Sequence, residues 1–196
     1  EQNLSVWFET KLLKVLREKN KIVGAIVRKK DGSEVEIKAK VTIEATEFGD
    51  VLALGNVPYR LGRDSKSDTG EPHAPENADD EIQDMTYCAI MKNYKTIAPQ
   101  IQPSPSYDPN QFKCSTSEDC DNPDESFLYH KLHNWESFIT YAALPNEKYL
   151  LNWPFRANDY LTTREIYENF SSRSYHFQKA KEQTLNYIHY IQTKLG

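Results

Sequence analysis

The 196 residues carry 24 Lys and Arg against 29 Asp and Glu, a net charge of −5 with no basic stripe, which argues against a nucleic-acid partner. Hydrophobic residues make up only 38 % and mean hydropathy is −0.74, but twelve tyrosines point to a folded chain rather than a disordered one. No apolar run approaches the roughly 20 residues that span a bilayer, and the length suits one domain or parts of two.

Leu4 to Phe8 alternates apolar and polar and reads as a short strand. Thr10 to Glu18 passes for helix by propensity, yet Lys21 to Lys30 is β-rich, Asp31-Gly32 is a hairpin turn, and Glu34 to Ala39 alternates again. The consistent solution is an antiparallel meander of Leu12–Glu18, Ile22–Lys30 and Glu34–Lys40, which feeds an apolar strand at Val41–Thr46. Glu47-Phe48-Gly49-Asp50 breaks that strand, and Val51 to Leu54 opens a helix with Asp50 as its N-cap. Strand, turn and helix start in this order place backbone N–H groups where an anion or a ribose-phosphate can sit. Glu47 could accept from a ribose hydroxyl, but it would repel a pyrophosphate.

Arg63 to Asp84 is polar, has no hydrophobic period and reads as a long loop. His73 lies in it between prolines at 72 and 75; it is either an acid–base group or an ordinary surface histidine. Gln83 to Met91 reads as a half-buried strand. Tyr94 to Asp124, with five prolines, is an excursion expected to pack on another part of a larger protein. Cys114 and Cys120 flank STSED, close enough to bridge or to join a metal site with His130 and His133; unlinked thiols are the default, and no metal is assigned. Asp124 to Trp135 is a weak helix.

Phe138–Leu144 and Lys148–Trp153 read as a hairpin around Pro145-Asn146-Glu147. Asn152, Trp153, Asn158, Asp159 and Tyr160 then offer amides, a carboxylate and flat apolar faces that suit a polyhydroxylated ligand, though a turn and a core tryptophan explain them equally well. From Thr162 the chain reads as helix to its end, with Phe177, Ala180, Thr184, Ile188, Ile191 and Leu195 as its apolar stripe.

A strand ending Ala45-Thr46-Glu47 and running into Gly49-Asp50 resembles the xanthan-lyase-like FAD-dependent oxidoreductases. So do, in order, GEPHAP at Gly70–Pro75, Ile82-Gln83 with Thr86-Tyr87, Leu151-Asn152-Trp153-Pro154 followed by Asn158-Asp159-Tyr160, and a closing helix at Tyr190-Ile191-Gln192-Thr193. The resemblance covers most of the chain. It departs from the family in lacking a Gly-x-Gly-x-x-Gly loop: the seven glycines include no pair two apart, so the chain reads as an internal fragment.

The resemblance implies an α+β chain. Residues 1–62 would be part of a Rossmann-like FAD-binding domain, 63–161 a substrate-domain portion of mixed sheet and helix, and 162–196 a long C-terminal helix. It further implies FAD as cofactor, with Leu12 beside the adenine and Ala45, Thr46, Glu47, Gly49 and Asp50 along the nucleotide. His73 would be a proton acceptor, and Asn152, Trp153, Asn158 and Asp159 would face a small-molecule substrate such as a sugar or other polyol. The expected partner is the remainder of the FAD-binding domain, in the cytoplasm. The competing reading is a carbohydrate-binding or sugar-lyase module without redox chemistry, although no Tyr/Arg/His set for β-elimination can be read.

Overall fold

A computed structural model describes residues 3–94, 96–120, 135–153 and 156–195. The helix expected at Asp124–Trp135 lies almost wholly outside them, as do His130 and His133. The chain divides into two compact units, Glu1–Asp80 and Glu81–Gly196. Among the described residues no helix is long and apolar enough to cross a membrane.

Unit 1 is built on the meander. Strands β1 (Lys11–Glu18), β2 (Lys21–Arg28) and β3 (Glu34–Lys38) pair antiparallel in that order. The β2–β3 turn forms at Asp31-Gly32, as the sequence predicts. Gly32 takes φ 84° and donates to Lys29 O, while Asp31 Oδ1 accepts from the backbone and hydroxyl of Ser33. Helix α1 (Asp50–Leu54) packs on this sheet through Gly55, where a Cβ would meet the side chains of Ile22 and Val15 at 3.1 and 3.2 Å.

Two expected strands do not form. Leu4–Phe8 and Val41–Thr46 join no sheet, and Val41 and Ile43 stand 77 % and 83 % exposed. β-Propensity describes fitness for a half-buried pleated surface, and no described segment of unit 1 supplies one on either side. Asp50 is also not the N-cap. That position belongs to Gly49 at φ 66°, and Asp50 is the first helical residue. The polar stretch after Pro58 holds one short helix, α2 (Lys66–Thr69), capped by the buried Ser65, whose side chain accepts from Asp68 N.

In unit 2, β4 (Met85–Thr86) and β5 (Ala89–Lys92) replace the single strand expected at Gln83–Met91. A kink at Tyr87-Cys88 separates them, held where Tyr87 O accepts from Asn158 Nδ2 and Thr184 Oγ1. Trp135–Tyr141 forms helix α3, so most of the strand expected at Phe138–Leu144 is helical. Only β6 (Ala143–Leu144) survives of it, pairing with one edge of β7 (Lys148–Leu151), whose other edge pairs along its whole length with β5. The β6–β7 turn forms where predicted, with Asn146 and Glu147 both at positive φ. Strand β8 (Asp159–Tyr160) pairs with β4.

The C-terminal helix is interrupted. Helices α4 (Arg164–Glu168) and α5 (Arg173–Tyr190) are separated at Asn169–Ser172, where Asn169 Oδ1 accepts from Ser171 N and Oγ at 3.1 and 2.6 Å. Asn and Ser side chains that bond nearby backbone offer the chain an alternative to helix. A single π-helical turn, Ile191–Leu195, closes the chain.

Helix α5 buries Ala180, Thr184 and Ile188 of the predicted stripe and the turn after it buries Ile191, but Phe177 stays partly exposed. Tyr187 and Tyr190, which lay outside that stripe, are buried against Phe112, Leu151, Trp153 and Ala157. The described part of the Pro-rich excursion, expected to pack on another part of a larger protein, lies against α5 and the turn after it. Ser106 donates to Glu182 (2.5 Å), Ser104 N to Asn186 Oδ1 (2.8 Å) and Ile101 N to Gln192 Oε1 (2.9 Å), while His189 Nδ1 meets Ile101 O at 2.8 Å. Cys114 and Cys120 are joined in a disulfide, which corrects the expectation of unlinked thiols. Its loop is seated by Trp153 Nε1 donating to Ser115 O and Tyr190 O–H donating to Asp119.

Glu182 carries an acid-sensitive part of this seating. Hydrogen bonds from Ser106, Lys179 and Ser104 lower its carboxyl from 4.5 to about 2. A depressed folded-state value contributes stability that is full above the unfolded value and fades as pH falls through the folded one. Unit 2 should therefore lose stability between pH 4.5 and 2 through this group, and Glu182→Gln should flatten that limb in acid-unfolding curves followed by tyrosine fluorescence.

Candidate functional site

The turn expected to face a cofactor is held from both ends of α1. Glu44 folds forward so that Oε1 accepts from Thr46 N at 2.5 Å and Oε2 from Val51 N at 2.6 Å. Thr46 Oγ1 accepts from Asp50 N at 2.9 Å. At the other end Arg17 Nη1 donates to Gly55 O and Asn56 O, at 2.9 and 2.6 Å. A carboxylate at the start of α1 and a guanidinium at its end both complement the helix dipole. Burial acts to raise the Glu44 pKa, but the hydroxyl of Thr46 and the N–H groups of Thr46, Val51 and Leu52 outweigh it, and the net shift is downward.

This clamp changes what the turn can bind. The N–H groups of Thr46, Asp50 and Val51, read from sequence as open to an anion, already donate to Glu44 and Thr46. Ala45, Thr46 and Glu47 remain exposed, and Gly49 and Asp50 are half-buried. The turn therefore offers small side chains and peptide edges, with the N–H groups of Thr46, Asp50 and Val51 already engaged. Glu44 went unnoticed in the sequence, where it lay inside an assumed strand; a carboxylate seven residues before a helical N–H was the available signal.

Leu12 is half-buried in β1, opposite Val27 and next to an irregularity in the ladder. Near it, Trp7, Phe8, Thr10, Lys29, Lys30 and Asp31 line an open depression of about 520 Å³, with the Lys29 ammonium 4.1 Å from the Trp7 ring centre. A second depression, of about 550 Å³, lies against β1, β3 and the end of α1 and includes Arg17, Lys38 and Asn56. Neither is lined by residues 45–50 or by His73.

His73 is exposed on a closed loop. Arg63 grips Asp79 with two guanidinium nitrogens, Asp79 N donates to Arg63 O, and Lys66 N donates to Pro75 O. Gly62 makes the closure possible: its φ is 98°, and a Cβ there would fall 2.0 Å from Asp79 O. The loop is thus internally fixed although its sequence shows no period.

The remaining expected site residues belong to unit 2. Trp153 is buried and its indole N–H goes to Ser115 O. Asn158 is fully buried; Oδ1 accepts from Trp153 N, and Nδ2 donates to Tyr87 O and Leu151 O. The Trp153 indole thus seats the disulfide loop, and the Asn158 amide ties Tyr87 and Leu151 to Trp153, so the polar groups of both are engaged within unit 2. Asp159 is half-buried and accepts from the Thr86 hydroxyl, and Asn152 is half-buried at the end of β7. The same segment holds a group that sequence reading missed: Tyr160 O–H lies 3.0 Å from His176 Nδ1, and His176 Nε2 lies 3.5 Å from Glu165 Oε2. Its members come from β8, α4 and α5, so no local pattern announces it.

Among the described residues no group of three or more His, Cys, Asp and Glu is placed to hold a metal ion. The family model for FAD dependent oxidoreductases matches residues 1–195, and the chain belongs to that family. No curated protein and no solved structure matches the chain. Membership makes the protein an FAD-dependent oxidoreductase, a flavoprotein enzyme with FAD as cofactor.

Removing the clamp should be measurable. Glu44→Gln keeps the shape but withdraws the charge from the Thr46 and Val51 N–H groups, and hydrogen bonds to a charged group contribute about 1.5–3 kcal/mol each. A loss of about 1–3 kcal/mol in urea unfolding is expected, with faster amide exchange at Thr46 and Val51.

Proposed function

We propose that the chain supplies one wall of an FAD site together with part of a substrate domain, in an oxidoreductase of the xanthan-lyase-like kind that acts on a sugar or other polyol. The observation that carries this reading is the exposed, small-residue turn Ala45-Thr46 fixed rigidly by Glu44 and Arg17. Thr46, Ala45 and Gly49 let a flat or sugar-like portion of the cofactor approach the peptide, and Glu47 can accept from a ribose hydroxyl. Because the N–H groups of Thr46, Asp50 and Val51 are engaged, the pyrophosphate is held by other residues. The aromatic depression at Trp7, Phe8 and Thr10, beside Leu12, suits the adenine end.

FAD, when bound, supplies the hydride acceptor; the residues here position it and exclude water. His73, exposed on a fixed loop, is the proposed proton acceptor, and Asn152 and Asp159 supply polar contacts to substrate while Trp153 and Asn158 support them from behind. The exposed Val41 and Ile43 fit burial against the remainder of an FAD-binding domain, the proposed partner. The Cys114–Cys120 disulfide is more at home in an oxidising compartment than in the cytoplasm expected from the sequence.

Ala45→Trp tests the wall. It changes an exposed residue and should leave the fold intact, while FAD affinity of the flavin-loaded protein, read by fluorescence quenching, falls at least about tenfold, or ~1.4 kcal/mol. Unchanged affinity would remove residues 45–50 from the cofactor site.

A further inference from the structure

The break between α4 and α5 carries the sequence Asn169-Phe170-Ser171 on the surface of unit 2. Asn-x-Ser with x other than Pro is the acceptor pattern for N-linked glycans, and it serves only where the asparagine amide reaches solvent. The spacing alone decides little, since Asn3-Leu4-Ser5 shares it. Geometry sets the break apart. All three of its residues are exposed. Ser171 Oγ donates to Asn169 Oδ1 at 2.6 Å, and Ser171 N donates to the same oxygen at 3.1 Å. The carboxamide oxygen is thereby engaged, whereas Nδ2 has no partner among the described residues and is left to solvent. No such bond joins Ser5 to Asn3 among the described residues.

The turn is held in this form by its neighbours. Arg173 donates from Nε to Ile166 O at 2.9 Å and from Nη2 to Tyr167 O at 3.2 Å, and its guanidinium stands 4.7 Å from the Phe170 ring centre. Asn169 N donates to Glu165 O, and Ser172 N donates to Asn169 O. Phe170, 41 % exposed, and Tyr167, half-buried two residues before Asn169, supply flat apolar surface of the kind a sugar ring rests on. A second, independent observation lies elsewhere in the same unit, in the Cys114–Cys120 bridge. Disulfides persist in the oxidising compartments that N-glycosylated chains enter, so the bridge and the acceptor pattern point to one environment.

We propose that Asn169 is an N-glycosylation site, its Nδ2 taking an oligosaccharide from a polyprenyl-pyrophosphate donor. By donating to Oδ1, the Ser171 hydroxyl polarises the amide and makes an Nδ2 proton easier to remove. As Nδ2 bonds to the anomeric carbon, the bond from that carbon to the pyrophosphate oxygen breaks, and the pyrophosphate leaves with the electron pair. The Nδ2 proton passes to a base of the transferase. Nothing at residues 169–171 is buried, so a bulky hydrated group there displaces no core side chain. The inference uses no residue of the redox reading and stands apart from it.

The protein isolated from its own cells should carry a glycan on the peptide that contains Asn169. Peptide-N-glycosidase in heavy-oxygen water should then leave a labelled aspartate at that position. The folded chain, offered to an oligosaccharyltransferase with a lipid-linked oligosaccharide, should be modified at Asn169. Ser171→Ala should slow that modification about tenfold or more, the effect of one lost hydrogen bond to the amide, while Ser171→Thr keeps it. Asn169→Asp retains an acceptor for Ser171, and with it the turn, but has no Nδ2. Unchanged thermal unfolding of that variant, with no glycan, separates the modification from a purely structural role of the turn. A bare Asn169 in the native protein, a glycan on Asn3 alone, or a modification rate indifferent to Ser171→Ala would overturn the proposal.

Discussion

One face of α5 has to be covered, and unit 2 has little sheet with which to cover it. Its strands are two to four residues long, so the surface of Ala180, Thr184, Tyr187, Ile188 and Ile191 is sealed largely by irregular chain. Irregular chain brings peptide groups that cannot pair with one another, and each one buried without a partner costs about as much as a lost hydrogen bond. The helix and the turn after it answer with Asn186, His189 and Gln192, three residues apart, which take up backbone groups of Ser104 and Ile101, while Glu182 accepts from the Ser106 hydroxyl. The apolar stripe binds the side chains of the covering segment while the polar stripe beside it takes up the backbone. The disulfide loop and the kink at Tyr87 follow the same rule, with Trp153 donating to Ser115 O and Asn158 and Thr184 to Tyr87 O.

Unit 1 solves a smaller version of that problem. A five-residue helix is too short to persist alone, since nucleation costs more than so few hydrogen bonds return. Glu44 and Arg17 occupy its two ends, and Gly55 lets it sit directly on Val15 and Ile22. The consequence is a rigid turn whose donors are already used. Rigidity and engaged donors are separable properties, and the turn gains the first through the second.

What the sequence displayed well were features whose cause is local. The meander, both hairpin turns and the apolar period of α5 follow from alternation, Asp-Gly or Asn-containing turns and helical spacing, and all formed. The strands at Leu4–Phe8 and Val41–Thr46 failed because a strand is defined by its neighbour, which no local pattern contains. The break at Asn169–Ser172 was hidden because helix propensity is summed over a window while one Asn side chain decides the turn. The same distinction separates the site residues. The turn at Ala45–Asp50 was visible as a motif, but Glu44, His176 and the internal roles of Trp153 and Asn158 depend on what the fold brings near them.

The charge of the turn bears on which part of FAD could lie against it on the reading proposed above. Glu44, Glu47 and Asp50 place three carboxylates within seven residues, and no Lys or Arg lies among residues 41–59. Two unit charges 4 Å apart repel by about 1 kcal/mol in water and about 4 kcal/mol near a protein surface, so a pyrophosphate would be disfavoured here even if its donors were free. The uncharged portions of the cofactor, the ring system and the sugar hydroxyls, meet no such penalty, and hydroxyls gain acceptors from the same carboxylates. An acidic, donor-poor and sterically open turn is therefore a suitable wall for flavin or ribose, and it requires that the positive charge balancing the phosphates come from elsewhere in the site.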